Sequence, residues 1–319
     1  MSMRMRAISQ RSFGDPQVLE VIETDRPVPG PGEVLVRIHA AGVNPADWKR
    51  RSGLLRRFGE PPFTLGIDLA GVVVANGDQA GRFHAGDAVY GVALPPRGTY
   101  AEYAAVPEDS LAPAPPSLDL VHAAALPTTG LTAWQSLVRV AGVRAGQRVL
   151  IHAAAGGIGH LAVQIAKQHG AYVIGTARKN NHGFLTDLGA DELIDYTTTD
   201  FAAAAHDVDI VLDPISGDYG PRSLDTLVPD GVLLDVRGTG PDRTTVREMA
   251  QRRGLRYVEF GFTPDGTDLR EITTLAERGA LRVAVEHALP LEEAAKAHEL
   301  GESGRARGKI VLTVAQSPS

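Results

Sequence analysis

The stretch Val149-Leu150-Ile151-His152-Ala153-Ala154-Ala155-Gly156-Gly157-Ile158-Gly159 decides how the middle of the chain is read. A short apolar run, a turn of small residues and a helical pattern follow one another in the order that a pyrophosphate site needs. Gly156 would let backbone approach the phosphates, and Gly159 would permit close helix–strand packing. The helix N-terminus would add N–H groups and partial positive charge. Ala155, Gly156, Gly157 and Ile158 are therefore candidate cofactor contacts. Ala154 stands where G-x-G-x-x-G has its first glycine, so the strict pattern is not met.

Working outward, Tyr172–Thr176 reads as the next strand. Further candidate strands follow at Glu192–Asp195, Asp209–Asp213, Gly231–Val236 and Arg256–Phe260, with helix-length segments between several of them. This βαβα alternation predicts an α/β, doubly wound Rossmann sheet with parallel strands. The end of its second strand should read the adenosine ribose. There the chain has Gly175-Thr176-Ala177-Arg178-Lys179-Asn180 and no acid. A carboxylate would bond a ribose 2′-OH and repel a 2′-phosphate, whereas Arg178 and Lys179 attract one. NADP(H) is the expected cofactor; the alternative is two solvated charges opening a loop. Thr176 lies at this edge, Tyr196 follows the third strand, and Arg237 ends the fifth where the nicotinamide ribose would pass.

The first third is β-rich: in Glu33–Ala40, Val34, Val36 and Ile38 fall on one face, and short apolar runs recur at Gly71–Ala75 and Ala88–Val92. The tail reads as helices at Asp268–Arg278 and Leu291–Glu299 and a strand at Lys309–Val314. With 319 residues, two domains are expected. A net charge of −6 gives no electrostatic case for nucleic acid. Zero cysteines exclude disulfides, thiolate catalysis and Cys-containing zinc sites. No apolar run is long enough for a membrane span, and the start lacks a signal-peptide core. These features predict a soluble, cytoplasmic enzyme that binds neither nucleic acid nor membrane.

Several motifs occur in order: Ala41-Gly42-Val43-Asn44-Pro45-Ala46-Asp47, Gly66-Ile67-Asp68-Leu69-Ala70-Gly71, Gly86-Asp87-Ala88-Val89-Tyr90-Gly91 and Gly98-Thr99-Tyr100-Ala101-Glu102-Tyr103. They continue with Thr129-Gly130-Leu131-Thr132-Ala133-Trp134, the Ala153–Gly159 turn and Gly308-Lys309-Ile310-Val311-Leu312. Together they resemble the medium-chain dehydrogenase/reductase superfamily, in its zinc-free quinone oxidoreductase (zeta-crystallin-like) branch. The resemblance implies a GroES-like catalytic domain in two pieces, 1–127 and 265–319, around a Rossmann NADP(H)-binding domain at 128–264. It implies an active site at their junction, with the Asn44 motif beside the nicotinamide and Lys309 among the cofactor contacts. It also implies a homodimer, with Arg256–Phe260 at a sheet edge that needs a partner. In zinc-dependent relatives a metal-binding Cys would replace Asn44, and a His-Glu pair would follow the glycine at Gly66-Ile67-Asp68. No zinc is expected.

Without metal or thiol, the nicotinamide must supply the chemistry, and the substrate must accept hydride readily, as a quinone or an α,β-unsaturated carbonyl does. Asn44 is the first candidate for a hydrogen bond to the substrate oxygen or a ribose hydroxyl; the alternative is a turn cap. Asp47 orients a proton-supplying water or caps the helix after Asn44. Trp48 walls the substrate pocket or joins the core. Thr129 contacts the nicotinamide ribose or carboxamide, or serves as N-cap to a helix over Leu131–Val140. The ten histidines show no ligand spacing, and packing roles are expected of His39, His152 and His298. Two other functions stay open. One is an enoyl reductase for a carrier-bound intermediate, docked through Arg50, Arg51, Arg56 and Arg57. The other is a non-catalytic, crystallin-like NADPH-binding protein.

Overall fold

The alternation at Val34, Val36 and Ile38 becomes the inner face of a long strand in the computed structural model, which describes residues 3–215, 217–238 and 242–314. In chain order, β1 (Arg4–Gln10) and β2 (Glu20–Asp25) pair antiparallel, with Arg4 opposite Asp25. Then come β3 (Glu33–Val43) and helix α1 (Pro45–Arg51), whose Pro45 sits in the first turn, where a missing N–H is tolerated. Strands β4 (Phe63–Thr64), β5 (Asp68–Asn76), β6 (Ala88–Val92), β7 (Tyr103–Pro107) and β8 (Leu111–Pro113) follow, then α2 (Leu120–Ala124) and α3 (Pro127–Trp134). The helix expected over Leu131–Val140 thus starts earlier, at Pro127, and passes into a π-helical stretch over Gln135–Ala141.

The next unit alternates β9 (Arg148–Ile151), α4 (Gly159–Gln168), β10 (Tyr172–Thr176), α5 (His182–Asp187), β11 (Glu192–Ile194) and α6 (Phe201–Ala204). It continues with β12 (Val208–Asp213), α7 (Tyr219–Leu224), β13 (Leu227–Asp235), α8 (Thr244–Arg252) and β14 (Arg256–Glu259). The strands form one parallel sheet in the order β11-β10-β9-β12-β13-β14. This is the doubly wound order, and it changes direction between β9 and β12. Leu150, Ile174, Val211 and Leu233 from four neighbouring strands build its core. β14 lies at one edge.

The tail supplies α9 (Gly266–Glu277), β15 (Val285–Pro290), α10 (Ala294–Glu302) and β16 (Lys309–Thr313). β16 returns to the first unit and pairs antiparallel with β3, Ile310 opposite Val43. The resulting sheet runs β15-β16-β3-β5-β6-β8, with β7 also on β3. By contact, one unit comprises 1–131, 264–279 and 283–319, and the other 132–263 with 280–282. The α/β class, with a GroES-like unit and a Rossmann unit, is as the sequence predicts. No helix among the described residues is long and apolar enough to cross a membrane.

Candidate functional site

In the first unit, Asn44 sits between β3 and α1 in extended backbone, φ −129° and ψ 153°. Its backbone N–H donates to Asp47 Oδ2 at 2.8 Å, so Asp47 closes the first turn of α1. The Asn44 side chain turns elsewhere: Nδ2 donates to Asp68 Oδ2 at 2.9 Å, and Oδ1 accepts from Lys309 Nζ at 2.5 Å. Lys309 also donates to the Val43 carbonyl at 2.9 Å and approaches Asp68 Oδ2 at 3.5 Å. The other Asp68 oxygen accepts from the Thr128 N–H at 2.9 Å and its hydroxyl at 2.5 Å. β3, β5, α3 and β16 thus converge on one buried cluster. Gly42 makes room for it, since a Cβ there would lie 2.5 Å from the Ala124 carbonyl and 2.9 Å from Asp68 Oδ2.

Burial dominates the electrostatics. It pushes the Asp47 carboxyl up to about 7; nearby Asp68 adds to the rise, while the Asn44 N–H, Lys309 and Tyr100 oppose it. Burial likewise holds Lys309 below its ordinary value, against the pull of Asp68 and Asp47. A carboxyl raised on folding destabilises as pH climbs from the unfolded value, 3.8, through about 7. Asp47→Asn keeps an oxygen acceptor and removes that penalty. It is therefore expected to gain ~2–3 kcal/mol at alkaline pH relative to about pH 5, read from paired urea titrations. A pH-independent difference between the two proteins would refute the assignment.

Other expected site residues take different places. Trp48 is half-buried, meets His298 edge-on at 6.2 Å and leans on Gly301 of α10, a packing role. Thr129 is not an N-cap: α3 starts two residues before it, and its hydroxyl donates to the Ala125 carbonyl at 3.0 Å. Lys309 does not reach out as a cofactor contact, because its donors are turned to Val43, Asn44 and Asp68. Of Asn44, one Nδ2 hydrogen has no partner among the described residues. Sequence reasoning missed Asp68, Thr128, Tyr100 and His298 as members of this cluster. Asp68 and Tyr100 carried a signal, since each lies two residues after the first glycine of a sequence motif, Gly66 and Gly98.

In the second unit, Ala155, Gly156, Gly157 and Ile158 form the turn between β9 and α4, entered through Ala153 at φ 47°. A Cβ on Gly159 would fall 2.3 Å from the Ala153 carbonyl and 2.7 Å from Ala154 Cα, so only glycine allows this approach. Gly159→Val is expected to lose nucleotide binding and lower Tm; unchanged values for both would contradict the close packing. Thr176, expected at the cofactor, is buried and bonds His152 Nδ1 at 3.1 Å. Arg178 and Lys179 are exposed beyond β10, and Arg178 Nε donates to the Tyr196 hydroxyl at 3.0 Å. The structure therefore brings Arg178 and Tyr196 together. Arg237 it does not: its guanidinium lies in a buried pair with Asp235, 2.7 Å. Burial pushes Asp235 up, but bonds from Arg237 and Tyr257 outweigh it and hold the carboxyl below its ordinary value.

Two of the four arginines expected to dock a carrier are interior. Arg50 lies over the Phe63 ring at 3.8 Å, and Arg51 pairs with Glu302 at 2.7 Å. Only Arg56 and Arg57 are exposed. Among the described residues, no three His, Cys, Asp or Glu side chains gather as metal ligands.

Residues 30–116 match the alcohol dehydrogenase GroES-like domain, and residues 188–312 match the zinc-binding dehydrogenase family. Quinone oxidoreductase of Sus scrofa is 31% identical over 322 residues, covering 97% of each chain. The chain belongs to the quinone oxidoreductases of the medium-chain dehydrogenase/reductase superfamily. Among solved structures, the quinone oxidoreductase from Coxiella burnetii superposes on this oxidoreductase with a TM-score of 0.91 at 38% identity, covering 98% of this chain and 100% of that one. The Escherichia coli quinone oxidoreductase complexed with NADPH does so at 0.88 and 28% identity, covering 97% and 99%. The oxidoreductase is thus an enzyme of this family; Asn44 and Asp68 lie within the GroES-like match, whereas Lys309 lies within the zinc-binding dehydrogenase match.

Proposed function

We propose that the chain is a zinc-independent, NADPH-dependent reductase of quinones or α,β-unsaturated carbonyls. The pairing of Arg178 with Tyr196 carries the cofactor choice. Two donors stand side by side at the carboxyl edge of β10 and β11, where an NAD-preferring enzyme puts an acid. The cradle fits the nucleotide as well, because Gly159 lets α4 close on β9 beneath the turn. The similarity to an enzyme complexed with NADPH supports the same cofactor. When bound, NADPH supplies the hydride. Ala155–Ile158 and the α4 N-terminus would hold its pyrophosphate, and Arg178, Lys179 and Tyr196 its 2′-phosphate.

Asn44 keeps one amide N–H for a ligand oxygen, and a fixed donor near developing negative charge favours an enolate or quinol oxygen. The zinc-independent reading rests on Lys309. Its ammonium already lies among the Asn44, Asp68 and Val43 oxygens that would otherwise suit a cation. We further read the β14 edge as the partner-pairing edge of a homodimer, which a monomer in analytical ultracentrifugation would refute. A small-molecule acceptor is preferred to a carrier-bound one, because Arg50 and Arg51 are interior. The function is tested by the loss of NADPH absorbance with quinone and enone panels, NADH run in parallel. Arg178→Ala is expected to weaken NADPH binding by ~1–3 kcal/mol and leave NADH unchanged; equal losses would overturn the 2′-phosphate assignment. Asn44→Ala should lower turnover more than cofactor affinity, and unchanged turnover would make it a turn residue only.

A further inference from the structure

A second hydrogen-bonded line runs into the Asn44 cluster from α10. Arg51 of α1 donates from Nη2 to Glu302 Oε1 at 2.7 Å, from Nη1 to Glu302 Oε2 at 3.2 Å and from Nε to the Gly14 carbonyl at 3.0 Å. Nη1 also meets His298 Nδ1 at 3.3 Å. A guanidinium can only donate, so His298 Nδ1 must accept. Burial, with Arg51 adding to it, pushes His298 down to about 3, so the ring is neutral and its single proton sits on Nε2. Nε2 lies 3.3 Å from the Tyr100 hydroxyl, which therefore accepts from His298. The one Tyr100 proton is left to point at Asp47 Oδ2, 3.1 Å away. Tyr100 and His298 are both completely buried, which removes water as a competing partner.

We propose that Tyr100 and His298 are positioning residues for Asn44, because this one-way chain from Arg51 presents a donor to Asp47 Oδ2 and so holds that carboxylate on the Asn44 backbone N–H. The role rests on the proposed reduction at Asn44. The chain enters from α10 and the segment before β7, whereas Lys309 and Asp68 act from β16 and β5. Asp47 therefore faces Asp68, Lys309 and Tyr100 from three other elements, and Arg50 from its own helix. The carboxylate also joins the two halves of the cluster. Removing the Tyr100 donor takes a hydrogen bond from the ionised form of Asp47 and loosens its grip on the first turn of α1.

Tyr100→Phe deletes one hydroxyl and keeps the ring. Its Asp47 midpoint, followed by carboxyl carbon NMR with labelled aspartate, is expected to rise by roughly one pH unit. Turnover at neutral pH should fall about tenfold, with NADPH affinity within about twofold of wild type. His298→Ala, which frees the Tyr100 hydroxyl to turn away, should move both readouts in the same direction but less. His298→Gln, with an amide N–H to offer, should recover part of the loss. A Tyr100→Phe protein with lowered Tm but unmoved midpoint and turnover would overturn the proposal and leave the chain a packing device. The carboxyl titration needs no substrate, so it decides the chain even where no acceptor is reduced; that failure would count against the proposed reaction alone. Should Tyr100→Phe not fold, the two His298 variants decide it by the same midpoint.

Discussion

Lys309→Met is expected to lower stability by ~3–5 kcal/mol, the scale for removing one partner of a buried ion pair. Asp68 is completely buried and would lose the cation beside it, while Asn44 Oδ1 and the Val43 carbonyl would lose their donor. Methionine fills similar volume, so the loss would come from charge and hydrogen bonding rather than a cavity. Adding Asp68→Asn should restore much of it. The amide oxygen can still accept from Thr128, and the amide nitrogen can donate to Asn44 Oδ1 once the Asn44 amide, freed of Lys309, turns over. Urea midpoints of the two proteins read the difference. A Lys309→Met midpoint equal to wild type would mean that the ammonium holds nothing together.

Acid should unfold the protein through His152. The ring lies between Thr176 Oγ1 and Ser223 Oγ, with Phe201 and Tyr219 against it. Burial, then the charges of Arg222 and Arg243, push its pKa from 6.5 down to about 3. A histidine lowered on folding contributes no penalty above its unfolded value and an increasing one as pH falls toward its folded value. At about pH 4.5 this is ~2–3 kcal/mol for His152. His298 acts in the same direction through burial and then Arg51, and Asp47 in the opposite one, because its folded value is raised. His152→Gln isolates the first effect, since glutamine can bond both hydroxyls without titrating. Its Tm should fall less than that of wild type between neutral pH and about pH 4.5. Parallel curves would show that His152 is not protonated on unfolding.

The parallel sheet was legible because its strands are short apolar runs at βα spacing, and β10 was read with its true ends. β1 and β2 were not read: Arg4, Arg6, Glu20 and Glu23 interrupt both with charges that the structure leaves at the surface or pairs, as Arg6 with Glu102. The candidate site was half legible. Asn44, Asp47 and the α4 turn lie in local motifs, whereas the Asp68–Lys309 contact joins residues 241 apart, a distance that no local spacing encodes. The arginine run after Trp48 misled for a related reason. Written in line it looks solvated, but α1 turns Arg50 and Arg51 inward, where Phe63 and Glu302 receive them. The N-cap alternative for Thr129 does not hold because Pro127 starts α3 earlier than the pattern suggests, which moves the capping position off Thr129.

The place of β16 bears on how the molecule is made. On the ribosome, β3 emerges early, but its Ala40–Val43 half has no neighbour on one side until β16 arrives, more than two hundred residues later. The contiguous 132–263 segment needs no such wait and can fold first. Until then the nascent chain carries an open strand edge, the kind of surface that pairs with other chains. It also carries an Asp68 carboxylate with no ammonium beside it, which water must solvate. Strand closure and charge neutralisation arrive in the same few residues, so the Asn44 cluster is assembled only once β16 has emerged, in one event.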